Sequence, residues 1–135
     1  MLINFAHLCD YASVSAEGKL SVMGIFDVIN APALPWTHPT FYIAFQLEST
    51  REEVNQSFAV RVECVDQDGA RVFKVEANYS PTATLAIGET QRHSQMLVLH
   101  NLKFSKPGRY EVNMFVRNEL LRRIPLDIKQ IVPLR

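Results

Sequence analysis

The feature that most constrains this chain is a hydrophobic period of two. Phe41, Ile43, Phe45 and Leu47 alternate with Tyr42, Ala44, Gln46 and Glu48. Phe58, Val60, Val62 and Cys64 alternate with Ala59, Arg61, Glu63 and Val65, and Phe73, Val75, Ala77 and Tyr79 with Lys74, Glu76 and Asn78. Near the end, Tyr110, Val112, Met114 and Val116 alternate with Arg109, Glu111 and Asn113. Successive side chains of a strand point to opposite faces, so each run describes a half-buried β-strand. No helical spacing is sustained over a helix-length window.

Turn chemistry falls between the runs. Ala16-Glu17-Gly18 separates a first strand (3–14) from a second (19–29). Gln67-Asp68-Gly69 joins two more, because glycine takes positive φ without a Cβ clash. Lys106-Pro107-Gly108 fits a type II turn, and Asn118-Glu119 is placed at the last hairpin. About eight strands result: 3–14, 19–29, 40–48, 57–66, 70–79, 94–104, 109–117 and 120–131. This pattern predicts an all-β fold, an antiparallel β-sandwich of immunoglobulin-like or jelly-roll-like type, with a closed barrel as the alternative. Pro125 cannot donate to a ladder and predicts a free strand edge there. Asn30–Pro39, with three prolines, and Ser80–Glu89 read as irregular.

A length of 135 residues is one domain's worth, and 47% apolar content excludes disorder. Fourteen basic and fourteen acidic residues cancel, which argues against nucleic acid or an anionic membrane as partner. No stretch is long and apolar enough to be a membrane helix. The opening MLINFAHLCD has no basic start, and Asn4, His7 and Asp10 interrupt it, unlike a signal peptide. The expected compartment is therefore cytoplasmic, with Cys9 and Cys64 reduced and buried rather than bridged.

The segments CDYASVSAEGKLSVMGIFDVINAP, VDQDGARV and LKFSKPGRYEVNMFVRNELLRRIPLDI together resemble a family of short bacterial all-β proteins of unassigned function. The resemblance runs from about Leu8 to Ile128. It implies a standalone β-sandwich and no known catalytic motif. Pro107-Gly108-Arg109-Tyr110 also resembles a turn and strand start common in immunoglobulin-like bacterial modules, a likeness of architecture that fixes no function.

Motifs for catalysis are missing. There is no GxSxG, GxxxxGK[ST] or GxGxxG, and no CxxC, HxxxH or HExxH spacing. His7 and Cys9, two apart on a strand, could begin a zinc or nucleophile site, but only if His93, His100 or Cys64 joined them from other strands. Packing is the simpler role for each. Asp66 and Asp68 flank a turn, where Asp is favoured for local hydrogen bonds rather than for a cation. The expectation is a non-enzyme with no cofactor and no metal.

Features of interaction are stronger. Ala31–Pro39 is stiffened by proline and carries Trp36, the sole tryptophan, with His38 beside it; Trp36 either presents a binding surface or plugs the end of the core. The second strand is apolar on both sides, with Leu20, Val22, Phe26 and Val28 opposite Met23, Ile25 and Ile29. Tyr42 and Phe115 also point away from the expected core. A strand with one solvated face should alternate, so either the chain itself covers both faces, with Ser80–Glu89 as the possible cover, or a bulge near Gly24 swaps the faces, or a second chain covers one. Trp36, His38, Tyr42, Phe115, Met23 and Ile25 are thus the candidate interface residues. The expected role is a binding or assembly module, self-associating as a dimer or binding another protein. The alternatives are a structural component of a larger particle, of phage or secretion type, and a small metal-binding protein or enzyme using His7 and Cys9.

Overall fold

The computed structural model describes residues 1–131. Nine strands form among them: β1 (Leu2–Val14), β2 (Leu20–Ile25), β3 (Val28–Ala31), β4 (Trp36–Thr50), β5 (Phe58–Asp66), β6 (Arg71–Tyr79), β7 (Thr90–Phe104), β8 (Gly108–Val116) and β9 (Glu119–Gln130). They build two packed sheets, one ordered β2-β1-β4-β7 and the other β3-β9-β8-β5-β6. The all-β sandwich expected from the period of two is present. Phe41, Ile43, Phe45 and Leu47 of β4 meet Val60, Val62 and Cys64 of β5, Val112 and Met114 of β8, and Leu126 and Ile128 of β9 in one core.

The strand count and one pairing sense need correction. The expected second strand, 19–29, is two strands in different sheets. The Phe26 N–H donates to the Leu8 carbonyl (3.0 Å) in the four-stranded sheet. The carbonyl of the next residue, Asp27, accepts from the Asp127 N–H (2.8 Å) in the other. The two-sided apolar pattern therefore arises partly because the chain changes sheets at this step. β3 then runs parallel to β9, from Val28↔Asp127 to Ala31↔Gln130, so the sandwich is not wholly antiparallel. β9 has no strand on that side before Asp127, and the missing N–H of Pro125 leaves no donor wasted there.

Of the two segments read as irregular, Ser80–Glu89 forms no strand, whereas Asn30–Pro39 contributes strand at both of its ends. β4 begins at Trp36 and pairs with β7 in one unbroken register from Trp36↔Phe104 to Thr50↔Thr90. The last hairpin turns one residue earlier than expected, at Arg117-Asn118, both at positive φ (50° and 65°). Arginine is an unusual residue there. Its guanidinium lies 4.0 Å from the Phe58 ring centroid and donates to Gln56 Oε1 (2.8 Å), while Asn118 Oδ1 accepts from Arg61 (2.6 Å). These contacts hold the turn. The Asp66 turn behaves as its sequence implied: Asp66 Oδ1 accepts from the Asp68 and Ala70 N–H groups (2.9 Å each), and Gly69 takes φ 83°.

Candidate functional site

The outer surface of the four-stranded sheet carries the most unusual chemistry. The register aligns Ile25 with Cys9, Cys9 with Tyr42, and Tyr42 with Val98, a row across all four strands; Met23 lies opposite Tyr11. Cys9, Ala12 and Ala44 are buried in a second apolar cluster, separate from the main core and flanked by Leu20, Val22, Tyr42 and Met96. β1 and β7 approach each other although β4 lies between them in the sheet, so the β1–β2 ribbon supplies part of this cover. Around the cluster, large apolar side chains stay in water: Met23 is 68% exposed, Ile25 60%, Tyr11 51% and Val98 40%. Tyr11 meets Tyr42 edge-on with ring centroids 5.3 Å apart.

Gly24 makes the ribbon possible. It adopts φ +70°, and its Cα is covered by the Asp10 side chain, leaving no room for a Cβ. The face-swapping bulge expected near Gly24 is absent: β1 and β2 keep one register from Cys9↔Ile25 to Val14↔Leu20, and Met23 and Ile25 remain together on the exposed face.

Of the six residues proposed from sequence, three lie here: Met23, Ile25 and Tyr42. Tyr11 and Val98 join them by register, a signal that sequence alone does not hold. Trp36 and His38 sit elsewhere, half-buried at the end of the sandwich where the chain changes sheets. Trp36 packs against the main core, its Nε1 donates to His38 Nδ1 (3.2 Å), and His38 lies against Phe26 and Phe41. Trp36 is therefore in a strand and on the core rather than on a free recognition loop. Phe115 lies on the outer face of the other sheet, covered by Arg61.

The residues considered for metal or nucleophile chemistry do not assemble. No group of three or more His, Cys, Asp or Glu side chains among the described residues is placed to hold a metal ion. Cys9 is buried and its thiol faces the Tyr42 carbonyl (3.7 Å). Burial, with Asp10 nearby, raises its pKa. Burial pushes Cys64 up to about 12. A thiol so placed is a poor nucleophile. His93 packs on Tyr79, and His100 bonds Thr40 (3.1 Å). The most voluminous cleft described, about 610 Å³, is lined by charged groups including Asp27, Arg109, Glu111 and Arg123, but by no Ser, Cys or His.

The fold and this surface define an all-β sandwich module with an exposed apolar patch on one sheet. The chain belongs to a family of unknown function, DUF6941, which matches residues 4–129. No curated protein matches it significantly. Among solved structures it is similar to the Pseudomonas fluorescens alkylpurine DNA glycosylase AlkC bound to DNA containing an abasic site analog, at 18% identity and a TM-score of 0.43. The similarity covers 92% of this chain but only 30% of that one.

Proposed function

We propose that this protein is a non-enzymatic binding or assembly module that self-associates through the outer face of its four-stranded sheet. The observation that carries this is the grouping of Met23, Ile25, Tyr11 and Val98, all exposed and joined by strand register, around the buried Cys9–Ala12–Ala44 cluster. Scattered exposed apolars need no explanation, whereas a contiguous group on one face marks an interaction surface. The opposite sheet supports the contrast. Its outer face carries the pairs Arg61–Glu63 (3.2 Å), Lys74–Glu76 (3.0 Å) and Arg123–Glu111 (3.6 Å). One pair, Arg92–Glu48 (3.1 Å), also lies on the outer face of the four-stranded sheet, further along β4 from Tyr42. A symmetric dimer burying the apolar face is the simplest closed arrangement.

Sedimentation velocity on the purified chain tests this. The expected result is an oligomer whose size falls in the Met23→Lys/Ile25→Lys double variant, as the contact through this face is lost. Because both side chains are exposed, the variant should keep its stability within about 0.5 kcal/mol. A parent protein that stays monomeric at high concentration would overturn the proposal.

A further inference from the structure

We propose that a second copy of this chain adds to the free edge of β7, pairing antiparallel to it about a two-fold axis at Gln95. An unpaired strand edge offers a row of N–H and C=O groups to another chain, and proteins blunt such edges by shortness, charge, proline or bulges. Among the described residues, the four sheet edges differ sharply in that respect. β3 is only four residues long and runs into Pro32. β2 has six residues, with Gly24 at positive φ. β6 carries Arg71, Lys74 and Glu76. β7 has fifteen residues, no proline and a single unbroken register with β4. Its first break is Asn101, at φ 52°.

The regular part of this edge is therefore Thr90–His100, and Gln95 is its midpoint. A two-fold axis there sets Gln95 opposite its own copy, where the amide can both donate and accept. Arg92, the one Arg or Lys in the run, then falls opposite Val98, so no like charges meet. The surroundings favour the same occupant. Gln95 and Leu97 of β7, with Ala77 and Tyr79 of β6, line a cleft of about 50 Å³ that reaches Phe45, Leu47 and Val60 of the core. Pairing β7 with its copy brings the two clefts together, closing an apolar seam that is open in one chain. It also joins the four-stranded sheets into one continuous sheet of twice the width. Edge pairing is independent of the face contact proposed above. Two different two-fold contacts on one chain would carry assembly beyond the dimer.

Single-cysteine crosslinking separates the two contacts. Native Cys9 and Cys64 are both buried and give a quiet background. Gln95→Cys, treated with a short thiol-to-thiol crosslinker, should form a covalent dimer, since directly opposed Cβ atoms in an antiparallel pair lie about 4.5–5.5 Å apart, just beyond the span of a direct disulfide. The link should persist when Met23→Lys/Ile25→Lys is added. In the parent protein, alternate amides between Gln91 and Leu99 should gain protection from hydrogen exchange as concentration rises. A protein that crosslinks through Met23→Cys but not through Gln95→Cys would overturn edge pairing and leave the face contact standing. Crosslinking at neither position, with no concentration-dependent protection, would overturn both.

Discussion

The Arg61 guanidinium lies 4.3 Å from the centroid of the Phe115 ring, its partner across β5 and β8. Sequence marks Phe115 and Tyr42 alike as aromatics facing away from the core, yet their surroundings differ. A cation and the charged pairs beside it cover Phe115, while Tyr42 borders exposed apolar groups. Phe115→Ala should leave the oligomeric state unchanged and cost about 1–2 kcal/mol, from a cation–π contact of roughly 0.5–1 kcal/mol plus partial burial. Urea unfolding and sedimentation of the variant check both parts; dissociation of an oligomer would move the interface to the five-stranded sheet.

Gly24 and Asp10 form a second testable pair. Alanine at 24 must hold φ +70° and displace the Asp10 side chain. Gly24→Ala should destabilise the protein by about 1–2 kcal/mol, because the left-handed region is strained for any residue with a Cβ. Asp10→Ala should recover the steric part and leave the backbone part. Equal losses in the presence and absence of Asp10 would show that the carboxylate plays no role in shaping the ribbon.

The two thiols should be silent in the native protein. At pH 8 a thiol-reactive disulfide reagent should label neither Cys9 nor Cys64 until denaturant is added, since burial raises the pKa of both, that of Cys64 to about 12. The sign for stability follows. Unfolded thiols ionise near pH 8.5. Above that pH the unfolded chain has released protons that the folded chain retains. The stabilising contribution is therefore whole below about pH 8.5 and is lost as pH rises toward 12. Rapid native labelling of Cys64 would contradict its place in the core.

How much could be read in advance depended on where the period of two is unbroken. The four alternating runs lie within β4, β5, β6 and β8, and their apolar positions supply most of the core. The sheet change at Phe26–Asp27 was hidden because both flanking strands are short and apolar, so one continuous strand fits the residues equally well. Prolines made Trp36–Pro39 look like loop. In fact Pro39 lies within β4 opposite the bend at Asn101, where the residues facing the core change from odd to even on both strands without a register shift. The candidate face was legible through Met23, Ile25 and Tyr42. Tyr11 and Val98 were not, because their place beside those residues depends on cross-strand register.

Trp36 offers a direct reading of the sandwich end. Its Nε1 donates to His38 Nδ1, which accepts only while the imidazole is neutral. Burial lowers the His38 pKa below 6.5, and the Asp10 carboxylate partly opposes this. As pH falls from neutral, the unfolded chain takes up the proton first. The stability linked to neutral His38 is therefore complete above about pH 6.5 and is lost as pH falls through the lower folded value. Trp36 is the one tryptophan, so its emission should be constant from pH 8 to about 6.5 and change below that, with a midpoint lower than that of a free histidine. Asp10→Asn should move the midpoint lower still. His38→Gln, which keeps an acceptor that does not titrate, should remove the transition. An unchanged transition in His38→Gln would show that Trp36 senses some other group.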